Sequence, residues 1–222
     1  MHEGYYRRRG LGSREKEDKG EVKVNINRVI HVLVVVIVLS ISLYSYAHAA
    51  GSECLAKASR SDTESSVIVG YGTGDVAEGD YEPVLLIWRM GWNLKKFFPD
   101  LENHTGTVSL YIEPQINPVF NHETAIEFGV GVGFKYMHLL TDSVGAYLFG
   151  SVGPHYISVQ TSDQANGFIF SDTLGAGLSF FITEKSAITV EYRQRHMSNA
   201  AMVKPNVGID NNFGTIGYSV FF

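Results

Sequence analysis

Alternation of apolar and polar residues near the C-terminus is the feature that most limits what this chain can fold into. Between residues 188 and 192 the even positions are isoleucine, valine and tyrosine, whereas the odd positions from Thr189 to Arg195 are polar or charged. The alternation returns over residues 215–222 and ends on Phe222. Because successive side chains of a strand point to opposite faces, both stretches predict strands with one apolar face.

Eight segments with this alternation follow one another from residue 67 to the end of the chain. In the fourth, the even positions are large and apolar, whereas the odd ones include three glycines, which suit a narrow lumen. An even number of strands with an apolar outer face predicts an all-β fold, namely an eight-stranded antiparallel transmembrane β-barrel of the bacterial outer membrane. The segments lie near Val67–Thr73, Tyr81–Asn93, Thr105–Asn117, Glu123–Leu139, Ser143–Val159, Phe168–Thr183, Ser186–Ser198 and Asn211–Phe222.

The chain before these segments reads as an export signal. Residues 1–28 are polar and charged, Val29–Tyr46 is an apolar run, and Ala47-His48-Ala49 is a small-x-small site. We therefore predict a leader and cleaved signal peptide over residues 1–49, a polar periplasmic lead-in over residues 50–66 and the barrel over residues 67–222.

Two alternatives for this N-terminal part stay open. Val29–Tyr46 has 18 residues, near the lower limit for a bilayer-spanning helix, so an uncleaved anchor is the other interpretation of the apolar run. Translation from a non-ATG codon at Val22 or Val24 would give a signal of ordinary length. N-terminal sequencing of the precursor tests the start site.

The composition of the chain limits its possible binding partners and cofactors. After cleavage the remaining 173 residues, enough for one domain, carry 10 basic and 18 acidic residues, a balance that argues against nucleic-acid binding. The single Cys54 forms no internal disulfide. The histidines lack metal-ligand spacing, so we expect no metal, and we expect no cofactor. The oligomeric state stays open, a homo-oligomer included.

A group of polar residues is predicted on the lipid-facing side of the outer rim. With both barrel ends in the periplasm, the outer connections are Gly72–Asp80, Pro118–His122, Gln160–Gly167 and Asn199–Asp210. His196 and Ser198 have even numbers, like the apolar residues of their strand, so they share its apolar face (the same parity). Asp210 likewise has the parity of the apolar residues of the last strand. Such a Ser, His and carboxylate are the parts of an activated nucleophile.

These residues also carry a family resemblance. HMSNA at residues 196–200 and PNVGID at residues 205–210 resemble the signature of the PagL-type lipid A 3-O-deacylases, roughly H-x-S-N-A-G and then P-N-x-G-I-E. FIFSDTLGAGL at residues 168–178 resembles a strand of that family ending in G-A-G-L. The resemblance implies an outer-membrane esterase that hydrolyses the 3-O-linked acyl chain of lipid A, with lipopolysaccharide as substrate and outer-membrane lipid as its surroundings.

The resemblance also assigns roles to single residues. It implies His196 as base, Ser198 as nucleophile and Asp210 as the acid that orients the histidine, while Asn199 matches an asparagine implicated in oxyanion stabilisation. Asp210 stands where the family usually has Glu, and Ala201, at the oxyanion and substrate-positioning stretch, stands where it usually has Gly. A shorter acid and a more restricted backbone predict reduced or altered activity.

A second function from another class is a non-enzymatic small barrel with a structural or surface-interaction role. Ser198 and Asn199 then serve only the turn after their strand, because both residue types favour turns. Glu191 is the rival for the role of triad acid, but its parity points it into the lumen. Asp172 has lipid-facing parity, which suits contact with substrate or with a cation of the lipopolysaccharide layer.

Overall fold

The computed structural model describes residues 34, 38, 61–98, 106–120 and 125–222. Most of the predicted signal peptide and lead-in lies outside these residues. Among the residues that the structure describes, no helix has the length and apolar character needed to cross a membrane. A short 3₁₀ helix, Leu94–Lys96, follows the second strand. The strands are β1 (Thr63–Val76), β2 (Gly79–Asn93), β3 (Thr107–Phe120), β4 (Ala125–Thr141), β5 (Val144–Ile157), β6 (Gly167–Thr183), β7 (Ser186–Ser198) and β8 (Ile209–Phe221).

The eight strands form a closed antiparallel barrel in sequence order, which confirms the predicted fold class. β8 pairs with β1, from Glu64 opposite Phe221 to Gly74 opposite Asn211. The start of β1 and the end of β8 therefore share one end of the barrel, called here the proximal end. The opposite, distal end carries the described connections 77–78, 158–166 and 199–208.

β1 and β2 are longer than predicted and include most of Gly72–Asp80, the segment that was predicted as an outer connection. Gly72 and Gly74 pair with β8. A Cβ on Gly72 would lie 2.0 Å from Cδ1 of Phe213, and one on Gly74 would lie 2.2 Å from Nδ2 of Asn211. These glycines make room for large lumen side chains. The prediction of a loop over Gly72–Asp80 is therefore wrong apart from Ala77 and Glu78.

The predicted alternation of inward and outward side chains is confirmed. In β4, Phe128, Val132 and Phe134 are exposed on the outside, whereas Glu127 and Lys135 are buried in the lumen. A barrel whose strands satisfy each other's backbone groups and whose outer surface is apolar meets the requirements of a bilayer.

Ion pairs between buried side chains fill the middle of the lumen. Arg89 Nη1 lies 2.7 Å from Glu191 Oε1, and Arg193 Nη2 lies 2.6 Å from Glu191 Oε2. Glu113 completes this group by binding both arginines. Because each charge has an opposite partner and hydrogen bonds, its removal from water is compensated.

An apolar cluster lies on either side of this charged layer. Side chains from the strands thus fill the interior, as expected for a narrow eight-stranded barrel. The proximal cluster consists of Tyr111, Met137, Tyr147, Phe149, Phe181, Ala187 and Phe221. The distal cluster consists of Val76, Tyr81, Val119, Ala125, Ile157, Val159, Ile169, Met197 and Ile209.

Candidate active site

The distal end of β7 presents polar side chains to the outside of the barrel. Arg195 and Met197 are buried in the lumen, so the alternating residues His196 and Ser198 face outward. Each is partly exposed. Polar groups on the membrane-facing side of a barrel are costly to keep there, which points to a functional role.

His196 and Asp210 form a hydrogen-bonded pair across β7 and β8. The two residues are direct neighbours in the strand register. His196 Nδ1 lies 2.8 Å from Asp210 Oδ1, and the side chains are 44% and 38% exposed. An imidazole whose Nδ1–H donates to a carboxylate keeps its Nε2 free to accept a proton.

Asp172 extends this pair into a row across three strands. It is opposite His196 in the register of β6 and β7, and its side chain is exposed. Sequence parity predicted that Asp172 faces the lipid, and its exposure on the same outer row as His196 agrees. A second carboxylate therefore flanks the imidazole on the side away from Asp210.

Ser198 lies two positions beyond His196 on the same face of β7 and is opposite Phe170 of β6. Two strand positions separate the Cα atoms by about 6.5–7 Å, which lets the two side chains meet by rotation. Within the described part of the chain the structure records no hydrogen bond between His196 and Ser198. Such catalytic hydrogen bonds are often long before substrate binds.

Asn199 is turned into the loop that follows Ser198. It is 1% exposed. Its Nδ2 donates to the carbonyl of Val203 at 2.7 Å, and its backbone N–H donates to Oδ1 of Asn206 at 2.7 Å. One N–H of its amide is thus engaged within the loop, while its buried Oδ1 has no hydrogen-bond partner among the described residues.

Ala200 and Ala201 have left-handed backbone conformations, with φ of 52° and 61°. This is the region that favours glycine, which is the residue that the family resemblance implies at the position of Ala201. The consecutive positive φ values turn the chain sharply beside Ser198.

Gly208 is a site residue whose role sequence reasoning missed. Its φ is +99°, and a Cβ placed on it would lie 2.6 Å from Cε1 of His196 and 3.2 Å from Nε2. Gly208 therefore packs directly against the imidazole, where a side chain would displace the ring. Gly208 belongs to the PNVGID motif, which marks it as a residue of interest, but the motif alone does not reveal its contact with His196.

The distal connections fix the loop 199–208 in place. Ala165 N donates to the carbonyl of Pro205 at 2.9 Å, and Val207 N donates to the carbonyl of Asp163 at 2.7 Å. Asp163 Oδ2 in turn accepts from the backbone N–H of Ala77 at 2.6 Å. Three of the distal connections thus hold one another.

Glu191, the rival acid, lies in the lumen as predicted. It is fully buried and accepts hydrogen bonds from Arg89, Tyr147 and Arg193. It is therefore engaged away from His196, which leaves Asp210 as the carboxylate bonded to the imidazole.

An apolar groove runs along the outside of the barrel from the His196–Asp210 pair. Its volume is about 450 Å³. Gly150 has outward parity and lies between Phe134 of β4 and Leu174 of β6 in one row, so the missing side chain leaves a depression. The groove is lined by Val132, Gly133, Phe134, Gly150, Ser151, Val152, Asp172, Thr173, Leu174, Gln194, His196 and Asp210.

The described residues contain no group of three or more His, Cys, Asp or Glu side chains placed to hold a metal ion.

Comparison with known proteins gave a family match and structural neighbours. The family described as PagL, lipid A 3-O-deacylase, matches residues 86–219. A search of curated proteins found no match.

Among solved structures, the outer membrane enzyme PagL shares 20% identity with a TM-score of 0.49, and the alignment covers 70% of this chain and 99% of that chain. Neisserial surface protein A shares 12% identity with a TM-score of 0.54, covering 73% and 98%. The attachment invasion locus protein Ail of Yersinia pestis shares 13% identity with a TM-score of 0.45, covering 73% and 99%.

Proposed function

Because this chain belongs to the PagL family of lipid A 3-O-deacylases, we propose that it hydrolyses the 3-O-linked acyl ester of lipid A by a Ser-His-Asp mechanism. The barrel lies in the bacterial outer membrane, where lipid A is present. In this proposal Ser198 is the nucleophile, His196 the base and Asp210 the acid that orients the imidazole.

The hydrogen bond between His196 and Asp210 is the observation that carries the proposal. At 2.8 Å it fixes the tautomer in which Nδ1 holds the proton and Nε2 accepts one. The pair faces the membrane side of the barrel rather than the lumen, so an ester in the outer leaflet reaches it without leaving the bilayer.

The reaction proceeds in two halves. Ser198 Oγ attacks the ester carbonyl carbon while its proton passes to His196 Nε2, and the intermediate collapses when that proton moves to the departing sugar oxygen. Water then attacks the acyl-enzyme with His196 again as base, which releases the fatty acid and restores Ser198. The products are a free sugar hydroxyl and a 3-hydroxy fatty acid.

Charge on the carbonyl oxygen needs donors beside Ser198. The second N–H of the Asn199 amide and the backbone N–H groups of the turn at Ala200 and Ala201 are the candidates. Losing one such donor typically lowers the rate by about 100- to 1,000-fold. The positive φ values of this turn support the assignment, because they bring consecutive N–H groups to one side of the chain.

The groove offers a binding site for the acyl chain of the substrate. Its apolar lining begins at His196 and continues along the barrel surface, so a chain whose ester is at Ser198 can lie in it. The groove is also part of the membrane-facing surface, and the bilayer therefore covers its open side.

Replacement of the nucleophile tests the proposal. Purified Ser198→Ala protein should fold as a heat-modifiable barrel but release no 3-hydroxy fatty acid from lipid A, as measured by mass spectrometry. Ser162→Ala, which removes an exposed hydroxyl from the connection 158–166, is the matched control and should retain activity. Cleavage by Ser198→Ala at the wild-type rate would mean that the nucleophile is wrong and would favour the non-enzymatic barrel.

A further inference from the structure

The loop 199–208 carries an exposed cation among exposed apolar side chains. Lys204 is exposed at the distal end, and Met202, Val203 and Val207 around it are each 57% exposed. The proposed reaction uses none of these four side chains.

The backbone on both sides of Lys204 is fixed next to the reacting residues. The carbonyl of Val203 accepts from Asn199 Nδ2 at 2.7 Å, and the carbonyl of Pro205 accepts from Ala165 N at 2.9 Å. Asn199 directly follows Ser198. The backbone of Lys204 is therefore fixed next to Val203, which is in direct contact with Asn199, the residue after the proposed nucleophile.

The charge around Lys204 is otherwise acidic. Among the described distal connections 77–78, 158–166 and 199–208, Lys204 is the only Lys or Arg, whereas Glu78 and Asp163 are acidic. An anionic group that approaches this rim thus meets one cation, located beside the candidate active site.

We propose that Lys204 binds a phosphate group of the lipid A substrate while the ester lies at Ser198. This inference rests on the proposed function. Lipid A carries phosphate on the same sugars that carry its acyl chains, and a lysine ammonium is a suitable point charge for phosphate. Met202, Val203 and Val207 then pack against acyl chains beside that phosphate, continuous with the apolar outer surface of the barrel.

Binding measured without turnover tests the proposal. Folded Ser198→Ala protein is titrated with phosphatidylcholine vesicles that contain either bis-phosphorylated lipid A or the same lipid A after chemical removal of its phosphates. It should bind the phosphorylated lipid more tightly. Adding Lys204→Gln should reduce this preference by about two- to fivefold, the range for a partly exposed ion pair, while Lys204→Arg should preserve it.

Lys185→Gln is the matched control, because Lys185 is exposed in the turn Glu184–Lys185 at the proximal end and should not affect the preference. An unchanged preference in the Lys204→Gln protein would overturn the inference, as would equal weakening for both lipids, which indicates a structural effect. Hydrolysis by the wild-type chain is measured in parallel. Phosphate preference without hydrolysis would refute only the esterase, whereas hydrolysis without a Lys204-dependent preference would refute only this inference.

Discussion

Gly208 combines a backbone requirement with a contact to the imidazole ring at the candidate site. Its φ of +99° is unfavourable for other residues, and its missing side chain leaves space for the imidazole of His196. Ala201 shows the opposite case. Its φ of 61° costs about 1–2 kcal/mol for a residue with a Cβ, so this chain tolerates strain in the site loop at a position where the family resemblance implies glycine.

Asp210 and Glu191 offer a test that separates chemistry from folding. Asp210→Asn keeps the shape but loses the charge that holds the His196 tautomer, so hydrolysis should fall by about 10²- to 10⁴-fold with the barrel intact. Glu191→Gln breaks buried ion pairs with Arg89 and Arg193, which should destabilise the barrel by about 3–5 kcal/mol and spare turnover of the folded fraction. Hydrolysis assays and urea unfolding in micelles measure the two effects.

Asp210→Glu is the conservative control for this pair. It introduces the acid that the family resemblance implies at this position and should be tolerated. Loss of hydrolysis in Glu191→Gln alone, with normal folding, would identify Glu191 as the acid after all.

The groove depends on three neighbouring strands and on the absence of one side chain. Gly150→Leu should fill the depression between Phe134 and Leu174, because the atom nearest to the new Cβ is the movable Leu174 Cδ2 at 2.9 Å. Hydrolysis of long-chain lipid A should fall by about tenfold or more, the scale of a few methylene groups in an apolar pocket, while a short-chain ester should be cleaved normally.

Ala176→Leu adds similar bulk to the same outer surface but lies outside the groove lining, so it should leave both activities unchanged. Equal activity of Gly150→Leu on long and short chains would show that the acyl chain binds elsewhere.

Parity along single strands was enough to place His196, Ser198 and Glu191 on the correct faces. The loop 199–208 was not predictable in this way, because its shape depends on Asp163 and Ala165, far away in the sequence. The groove was also missed, since it requires the register of β4, β5 and β6 around Gly150. The sequence alone predicts Gly72 and Gly74 as loop residues, because the side chains that need their space belong to β8.

Phe222 extends the seam between β1 and β8 by one residue. The N–H of Phe222 donates to the carbonyl of Thr63 at 3.0 Å, and its own carbonyl accepts from Asp62 N at 2.9 Å, while its side chain is 68% exposed to the membrane side. Phe222→Asp should lower the yield of heat-modifiable protein in outer-membrane fractions, because it places a charge at an exposed apolar position beside the seam between β1 and β8.

Phe97→Asp is the matched control. Phe97 is 62% exposed and follows the 3₁₀ helix at the proximal end, outside the β1–β8 seam. An undiminished yield of the Phe222→Asp protein would show that the terminal aromatic residue is dispensable for assembly.

The filled lumen has a consequence for the kinetics of the proposed reaction. Since apolar clusters and paired charges occupy the interior, substrate and products travel by lateral diffusion in the leaflet rather than through an aqueous passage. The concentration that governs the rate is then the mole fraction of lipid A in the surface, not its amount per volume of solution. Dilution of lipid A with inert lipid slows such an enzyme even when the total substrate in the tube stays constant.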